Sequence, residues 1–137
     1  MVSRSLQLII VPERLAVVRL EPHATVPSWV QAGSFVSVTR TKDELSIVCP
    51  ASAVPANVSC EGPFSRIQVR GPLAFSETGV LVSLALPLSE AGISLFALST
   101  YETDHILITE EELNRALEVL EAAGHQISVI EGENGAT

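Results

Sequence analysis

The stretch GISLFALSTYETDHILI, from Gly92 to Ile108, decides the fold. Two runs of apolar and β-branched residues, Ile93–Leu98 and His105–Ile108, flank a short polar segment at positions 101–103. Apolar runs joined by a few polar residues are typical of a β-hairpin. Gly92 favours the end of a helix directly before it. The stretch therefore predicts a helix followed by a hairpin.

A second hairpin is predicted upstream, with strands Phe35–Thr41 and Leu45–Cys49. When Phe35 is aligned with Leu95, the two hairpins match in hydrophobic class without a gap, at a constant offset of 60 positions. Self-similarity at a fixed offset indicates an internal repeat. We therefore expect two related units.

The second half of the chain completes a familiar order of elements. A strand is predicted at Arg66–Arg70, a helix at Ser76–Ala91, a second helix from Thr109 to Gly124, and a last strand at Gln126–Ile130. With the hairpin between the helices, the order is strand, helix, strand, strand, helix, strand. That order is the ferredoxin-like β-α-β-β-α-β unit.

Both helices carry an apolar stripe at helical spacing. Pro87 should distort the first helix because it removes a backbone donor. Thr109 and Glu112 predict a capping box at the start of the second. The two stripes are Val80, Leu81, Leu84 and Leu88, and Leu113, Ala116, Leu117 and Leu120.

The first half is less regular. Two strands are predicted at Leu6–Val11 and Leu15–Leu20, a short helix after Pro27, and an irregular segment at Pro50–Pro63. We expect an α+β protein with two ferredoxin-like units in tandem, the first one irregular. The predicted boundaries are 1–64 for the first unit, 65–130 for the second and 131–137 for a flexible tail.

Composition narrows the classes of partner. The chain has 137 residues and a formal charge of -8, which argues against a nucleic-acid footprint and against docking on an anionic membrane. No apolar run reaches the roughly 20 residues of a membrane span. Two cysteines, Cys49 and Cys60, do not form a disulfide framework and are expected to be buried thiols. These features predict a cytoplasmic protein.

Catalytic and metal motifs are missing from the sequence. There is no Gly-x-Ser-x-Gly elbow, and the histidines show no metal-ligand spacing. Cys49 with His105 or His125 is the thiol-catalysis candidate, but Cys49 lies in an apolar strand, where a structural thiol is the expectation. We expect no enzyme activity, no cofactor and no metal.

The segment from Gly92 to Ile108 resembles the aspartokinase-type ACT domains. Its Ser-Thr-Tyr-x-Thr-Asp-x-Ile-Leu-Ile motif resembles the corresponding segment of tandem-ACT proteins related to the cytosolic arginine sensor of the mTOR pathway. The resemblance implies two ACT units and a regulatory protein that binds a small ligand, usually an amino acid, at the interface between ACT units. It also implies that the chain forms a homodimer.

The resemblance implies ligand contacts from the loop after the first strand of the second unit and from the end of its hairpin. The loop also begins a helix, whose free N–H groups suit a carboxylate. The side chain of Glu77 would repel such a carboxylate, whereas Arg70 would favour an acidic ligand, so ligand identity stays open. The candidate ligand-binding residues are Arg70, Gly71, Ser76, Glu77, Thr78, Gly79, Val80, Ser99, Thr100, Tyr101, Thr103 and Asp104.

A simpler interpretation stands beside this one. Ser76 and Glu77 are ordinary helix-capping residues, and Tyr101 and Asp104 are ordinary turn residues. On that interpretation the chain is a ligand-free dimerisation or protein-interaction module that docks on a metabolic enzyme.

Overall fold

The computed structural model describes residues 4–31 and 33–130, so the predicted tail at 131–137 lies outside the described residues. The chain divides into two compact units. The larger unit holds residues 1–12 and 65–137, and the smaller unit holds residues 13–64.

The larger unit contains five strand segments. Its strands are the N-terminal end of β1 (Gln7–Leu20), the end of β4 (Glu61–Val69), β5 (Phe96–Ser99), β6 (Asp104–Thr109) and β7 (Gln126–Val129). They lie in the order β7, β1, β4, β6, β5. Apart from β1, this is the strand order of a ferredoxin-like unit, with β1 placed between its first and last strands.

Helices α1 (Val80–Glu90) and α2 (Leu113–Ala122) contact each other in the larger unit. The order β4, α1, β5, β6, α2, β7 confirms the predicted sequence of elements. The apolar stripes of the helices pack in one core cluster with alternate residues of the strands. This follows because side chains on one face recur about every 3.6 residues along a helix and every two residues along a strand. The central members of that cluster are Leu8, Ile10, Ile67, Val69, Leu84, Leu88, Ile106, Ile108, Ala116 and Leu120.

Helix α1 begins later than the sequence predicted. Residues 76–79 form a loop, and Leu81 is exposed, whereas the other three residues of its predicted stripe are buried. Pro87 lies inside the helix and has no N–H for the carbonyl of Ser83, four residues earlier. That carbonyl lies 2.9 Å from Nε2 of the buried His125 instead. The donor lost to proline is thus replaced by a side chain.

The predicted capping box of α2 is wrong. Residues 110–112 form a tight 3-10 turn, and the Thr109 side chain makes no cap hydrogen bond. The carboxylate of Glu112 pairs with Arg115, whose Nε lies 3.1 Å away, and does not reach back to Thr109. A 3-10 first turn is a common alternative for satisfying a helix start.

The smaller unit consists mainly of strands. It contains the C-terminal end of β1, strands β2 (Ser37–Arg40) and β3 (Leu45–Pro50), and the start of β4, in the order β2, β3, β1, β4. The predicted helix after Pro27 is only a 3-10 turn, Ser28–Gln31, too short to form a stable α-helix alone. Its core cluster is Val18, Val30, Leu45, Ile47 and Cys49, with Trp29 packed against it.

The two strands predicted before residue 21 are one strand, β1. Pro12 lies between the β7 ladder, which ends at Ile10, and the β3 ladder, which begins at Leu15. Its missing N–H therefore interrupts neither of these two ladders. Strand β4 is likewise longer than predicted and starts inside the segment that was expected to be irregular.

The two cysteines differ in environment. Cys49 is buried, as predicted. Burial is the main cause that raises the pKa of its thiol, and the charge of the neighbouring Cys60 is the second. Cys60 is exposed, so the prediction that both thiols are buried is wrong for Cys60. It lies just before β4, where the chain is still outside the core.

Candidate functional site

A cavity of about 380 Å³ opens on the larger unit. Three segments form it: the loop between β4 and α1, the first residues of α1, and the turn between β5 and β6. The lining residues are Leu73, Ala74, Phe75, Glu77, Gly79, Val80, Leu81, Val82, Ser99, Thr100, Tyr101, Glu102, Thr103 and Asp104.

The loop and the turn are fastened to each other by backbone and side-chain contacts. The Leu73 amide donates to the carbonyl of Glu102 at 2.7 Å. The buried Thr103 hydroxyl donates to the carbonyl of Val69 at 2.6 Å. A Cβ on Gly71 would lie 3.1 Å from the Glu102 carbonyl oxygen, so a glycine lets the two segments approach closely. The walls of the cavity are therefore fixed by the fold.

Glu77 closes a turn within the loop. Its backbone amide donates to the Ala74 carbonyl at 3.0 Å, and its carboxylate accepts the Ala74 amide at 2.8 Å. Its other carboxylate oxygen lies 2.8 Å from the Arg4 guanidinium. The Ala74 amide, and after it Arg4, lower the pKa of the Glu77 carboxyl. Glu77 is thus a charged part of the cavity wall, and each of its carboxylate oxygens accepts a hydrogen bond.

Helix α1 starts at the cavity without a side-chain cap. Its N-cap is Gly79, at a φ of 80°, a left-handed conformation that favours glycine. The first N–H groups of a helix have no partner within the helix, and a glycine N-cap offers no side-chain acceptor. The Ser83 hydroxyl donates to the Gly79 carbonyl at 2.6 Å and holds this end of the helix in place. The arrangement suits an anionic group in the cavity.

The β5–β6 turn presents polar and aromatic groups. Ser99 and Asp104 are paired across the hairpin, and the Ser99 hydroxyl donates to Oδ1 of Asp104 at 2.6 Å. Asp104 is half-buried and retains its second carboxylate oxygen for other partners. Its position at the cavity edge allows it to accept from a cationic group.

Phe75 and Tyr101 form an aromatic pair at the same cavity. Their ring centroids lie 5.7 Å apart with the planes inclined at 45°. They come from the loop and the turn respectively, and 85% of Phe75 and 84% of Tyr101 is exposed. Two aromatic side chains so exposed offer a surface on which a ligand or a partner can pack.

The structure brings most of the predicted residues together. Eight of them line the cavity: Glu77, Gly79, Val80, Ser99, Thr100, Tyr101, Thr103 and Asp104. Four do not line it: Arg70, Gly71, Ser76 and Thr78. The Arg70 amide bonds to the Gln7 carbonyl, and its exposed side chain follows the end of β4.

Six lining residues are not among the candidate residues named from the sequence, although four of them lie in the two segments, 71–80 and 99–104, that the resemblance implied. Leu81 was assigned to the buried stripe of α1, and the position of Leu73 depends on a hydrogen bond to the distant Glu102. Phe75 had one usable signal, because it is a large aromatic residue in a loop, and loops carry a disproportionate share of binding residues. The six are Leu73, Ala74, Phe75, Leu81, Val82 and Glu102.

Two structural features are absent from the residues that the structure describes. In the described parts of the chain, no three His, Cys, Asp or Glu side chains cluster in a way that could hold a metal ion. Residues 4–31 and 33–130 also include no helix of the length and apolarity needed to cross a membrane.

Family models match two consecutive parts of the chain. A model described as the ACT domain matches residues 59–122, and a model for an N-terminal domain matches residues 13–57. The chain therefore contains an ACT domain at residues 59–122. The predicted ACT fold is thereby confirmed, whereas a second, tandem ACT unit stays a prediction.

Similar proteins support the assignment at different levels. A protein of known structure from Agobacterium tumefaciens is 36% identical, with 98% of each chain covered and a TM-score of 0.88. The regulatory subunit of aspartate kinase from Thermus flavus shares the fold at 11% identity, with 90% of this chain and 99% of that chain covered and a TM-score of 0.55.

A third similarity is local. The human cytosolic arginine sensor for mTORC1 subunit 1 is 40% identical over 50 residues, which is 36% of this chain and 15% of the human protein. The bovine protein of the same name matches to the same extent. The match thus spans less than one sixth of these relatives.

Proposed function

We propose that this ACT-domain protein is a non-catalytic regulatory module that binds a free amino acid in the cavity of the larger unit. The observation that carries the proposal is the meeting of an uncapped helix start and a half-buried carboxylate, Asp104, at one cavity. A free amino acid carries one anionic and one cationic group, and the cavity offers a complement to each. The relatives that are regulatory subunits or amino-acid sensors support the proposal.

In the proposed complex the α-carboxylate lies at the first turn of α1 and the α-ammonium group at Asp104. The Phe75–Tyr101 pair then packs against the ligand side chain. Binding regulates only if the protein has two states that differ in affinity for the amino acid. We propose that these states differ in dimerisation or partner binding, and that the protein acts in the cytoplasm.

Charge favours a basic amino acid. The cavity lining includes the carboxylates of Glu102 and Asp104, besides that of Glu77, which is paired with Arg4, and no lysine, arginine or histidine from the described residues. Arg70, the residue that would have favoured an acidic ligand, does not line the cavity. A site with this balance attracts cations. L-arginine is therefore the first ligand to test, in agreement with the name of the relatives.

The test is a thermal-shift and calorimetry screen of the standard L-amino acids. An amino acid present at about 100 times its dissociation constant should stabilise the protein by about 2.7 kcal/mol. Asp104→Asn keeps an acceptor for Ser99 but removes the charge, and it should abolish the shift. Asp43→Asn makes the same change in an exposed turn of the smaller unit and should leave the shift intact. If no standard amino acid shifts the wild-type protein, the proposal is wrong.

A second candidate function is a protein-interaction module without a ligand. The exposure of Phe75 and Tyr101 favours it, as does strand β7, where Val129 is 56% exposed. Exposed apolar groups of this kind often mark an interface. Solution mass measured by light scattering, with and without L-arginine, separates the candidates: a dimer that is indifferent to every amino acid supports the interaction module.

A further inference from the structure

Arg4 reaches the cavity wall from the start of the chain. Its backbone amide donates to the Ser83 hydroxyl at 3.2 Å, the same hydroxyl that donates to the Gly79 carbonyl. Its guanidinium then donates to the Thr78 carbonyl at 3.2 Å and to the Glu77 carboxylate at 2.8 Å. Arg4 is therefore held at one end by α1 and at the other by the loop.

The ion pair changes the charge that faces the cavity. Glu77 lines the cavity, but Arg4 does not, so Arg4 neutralises a lining carboxylate without lining the cavity itself. The Arg4 and Glu77 side chains are 37% and 29% exposed, so water and salt screen the pair only in part. Without Arg4 the Glu77 carboxylate would repel any anionic group that enters.

We propose that Arg4 is a positioning residue that permits the α-carboxylate of an amino acid to enter the cavity by neutralising Glu77 and holding its loop against α1. This inference rests on the proposed function, since it concerns the ligand of the same cavity. It assigns a role in ligand selection to a residue far from the loop in sequence.

The test compares four proteins: wild type, Arg4→Gln, Glu77→Gln and the double variant. The probes are L-arginine, or the standard amino acid that gives the largest shift with wild type, and the α-carboxamide of the same amino acid. Arg4→Gln should weaken binding of the amino acid about two- to five-fold, the range of an exposed charge interaction. It should not weaken binding of the carboxamide, because that probe has no α-carboxylate for the uncovered Glu77 charge to repel.

The double variant separates charge from structure. If Arg4 acts by neutralising Glu77, removing the second charge restores affinity to within about two-fold of wild type, and the loss in Arg4→Gln shrinks at high salt. If Arg4→Gln and the double variant are equally impaired for both probes, Arg4 is only a structural tie and the inference is wrong. Unchanged binding by Arg4→Gln also overturns it. If the wild-type protein binds no amino acid, the proposed function and this inference are both wrong. The wild-type measurement alone distinguishes that outcome from a failure of the inference about Arg4.

Discussion

Each unit of the molecule contains a hairpin, and the two hairpins are built alike. In the smaller unit Ser37 pairs with Val48, and in the larger unit Phe96 pairs with Leu107, so the hairpins correspond at an offset of 59 positions. Each ends in a four-residue turn that starts at a threonine. The Thr41 amide donates to the carbonyl of Glu44, and the Thr100 amide donates to the carbonyl of Thr103, both at 2.9 Å.

The offset of 60 positions expected from the sequence is therefore one residue too long. Because side chains alternate between the faces of a strand, a shift of one residue exchanges the two faces. At the observed offset the fully buried Ile47 corresponds to the fully buried Ile106. At an offset of 60, Ile106 would correspond to the half-buried Ser46. The apolar runs were too uniform for hydrophobic class to distinguish the two alignments.

The hairpins differ in the group that donates a hydrogen bond to the carbonyl of the third turn residue. In the smaller unit an arginine side chain, Arg19, donates to the Asp43 carbonyl at 2.9 Å. In the larger unit the backbone amide of Leu73 donates to the corresponding carbonyl of Glu102 at 2.7 Å. The Arg19 side chain only holds its turn in place. The Leu73 amide belongs to a loop, so its hydrogen bond also places that loop against the turn, and the loop forms one wall of the cavity. The comparison shows how one turn gains a cavity when a neighbouring loop packs against it.

The largest effect is expected from the two corresponding isoleucines. Ile106→Ala and Ile47→Ala should each destabilise their own unit by about 2–5 kcal/mol, the cost of a fully buried large-to-small change. Urea unfolding measures this, since Trp29, the sole tryptophan, packs in the smaller unit and Tyr101, the sole tyrosine, lies in the larger.

Ser46→Ala is the control for the alignment. It lies at the position that an offset of 60 would equate with Ile106, and it should change stability by less than about 0.5 kcal/mol. If Ser46→Ala were as damaging as Ile106→Ala while Ile47→Ala had little effect, the correspondence at 59 positions would be refuted.

An intermediate effect is expected at the fourth turn residue, where the hairpins differ most in burial. Thr103→Val keeps the shape of the side chain but removes the hydroxyl that donates to the Val69 carbonyl, and it should cost about 1–3 kcal/mol. Because that bond joins β4 to the turn beside the cavity, amino-acid binding should weaken as well. Glu44→Gln, the corresponding change in the smaller unit, should have almost no effect on stability. Equal unfolding midpoints for both variants would count against the role of Thr103.

Much of the larger unit could be predicted because its signals are local. The stripe from Val80 to Leu88 and the glycines after both helices indicated the helices correctly. Local sequence patterns failed where another contact competed with the predicted one. The proline in β1 is accommodated by the position of two ladders, and the Glu112 carboxylate is taken by Arg115 and not by the turn that its spacing to Thr109 predicted.

The residues of the candidate site also divide into those that local sequence could predict and those that it could not. The turn residues Tyr101 and Asp104 could be predicted because the hairpin and the family string are contiguous in sequence. Leu73 and Arg4 could not be, because each reaches its place through a contact that is long-range in sequence: Leu73 with Glu102, and Arg4 with Glu77. The concern that Glu77 would repel a carboxylate came from reading the loop without Arg4.

The smallest effect is expected from the ion pairs, of which each unit has one that can be compared. Arg4 and Glu77 lie 2.8 Å apart in the larger unit, and Arg19 and Glu21 lie 3.2 Å apart and more exposed in the smaller. Since the pKa of Glu77 is lowered from its ordinary value of 4.5, its carboxylate adds stability above that pH and loses it as pH falls through the lowered pKa. Wild type should therefore exceed Glu77→Gln in urea midpoint at neutral pH, and the two should converge in acid. Glu21→Gln should show a smaller difference throughout. A gap between wild type and Glu77→Gln that persists at the lowest pH would mean that shape, and not the charge held by Ala74 and Arg4, accounts for the contribution of Glu77.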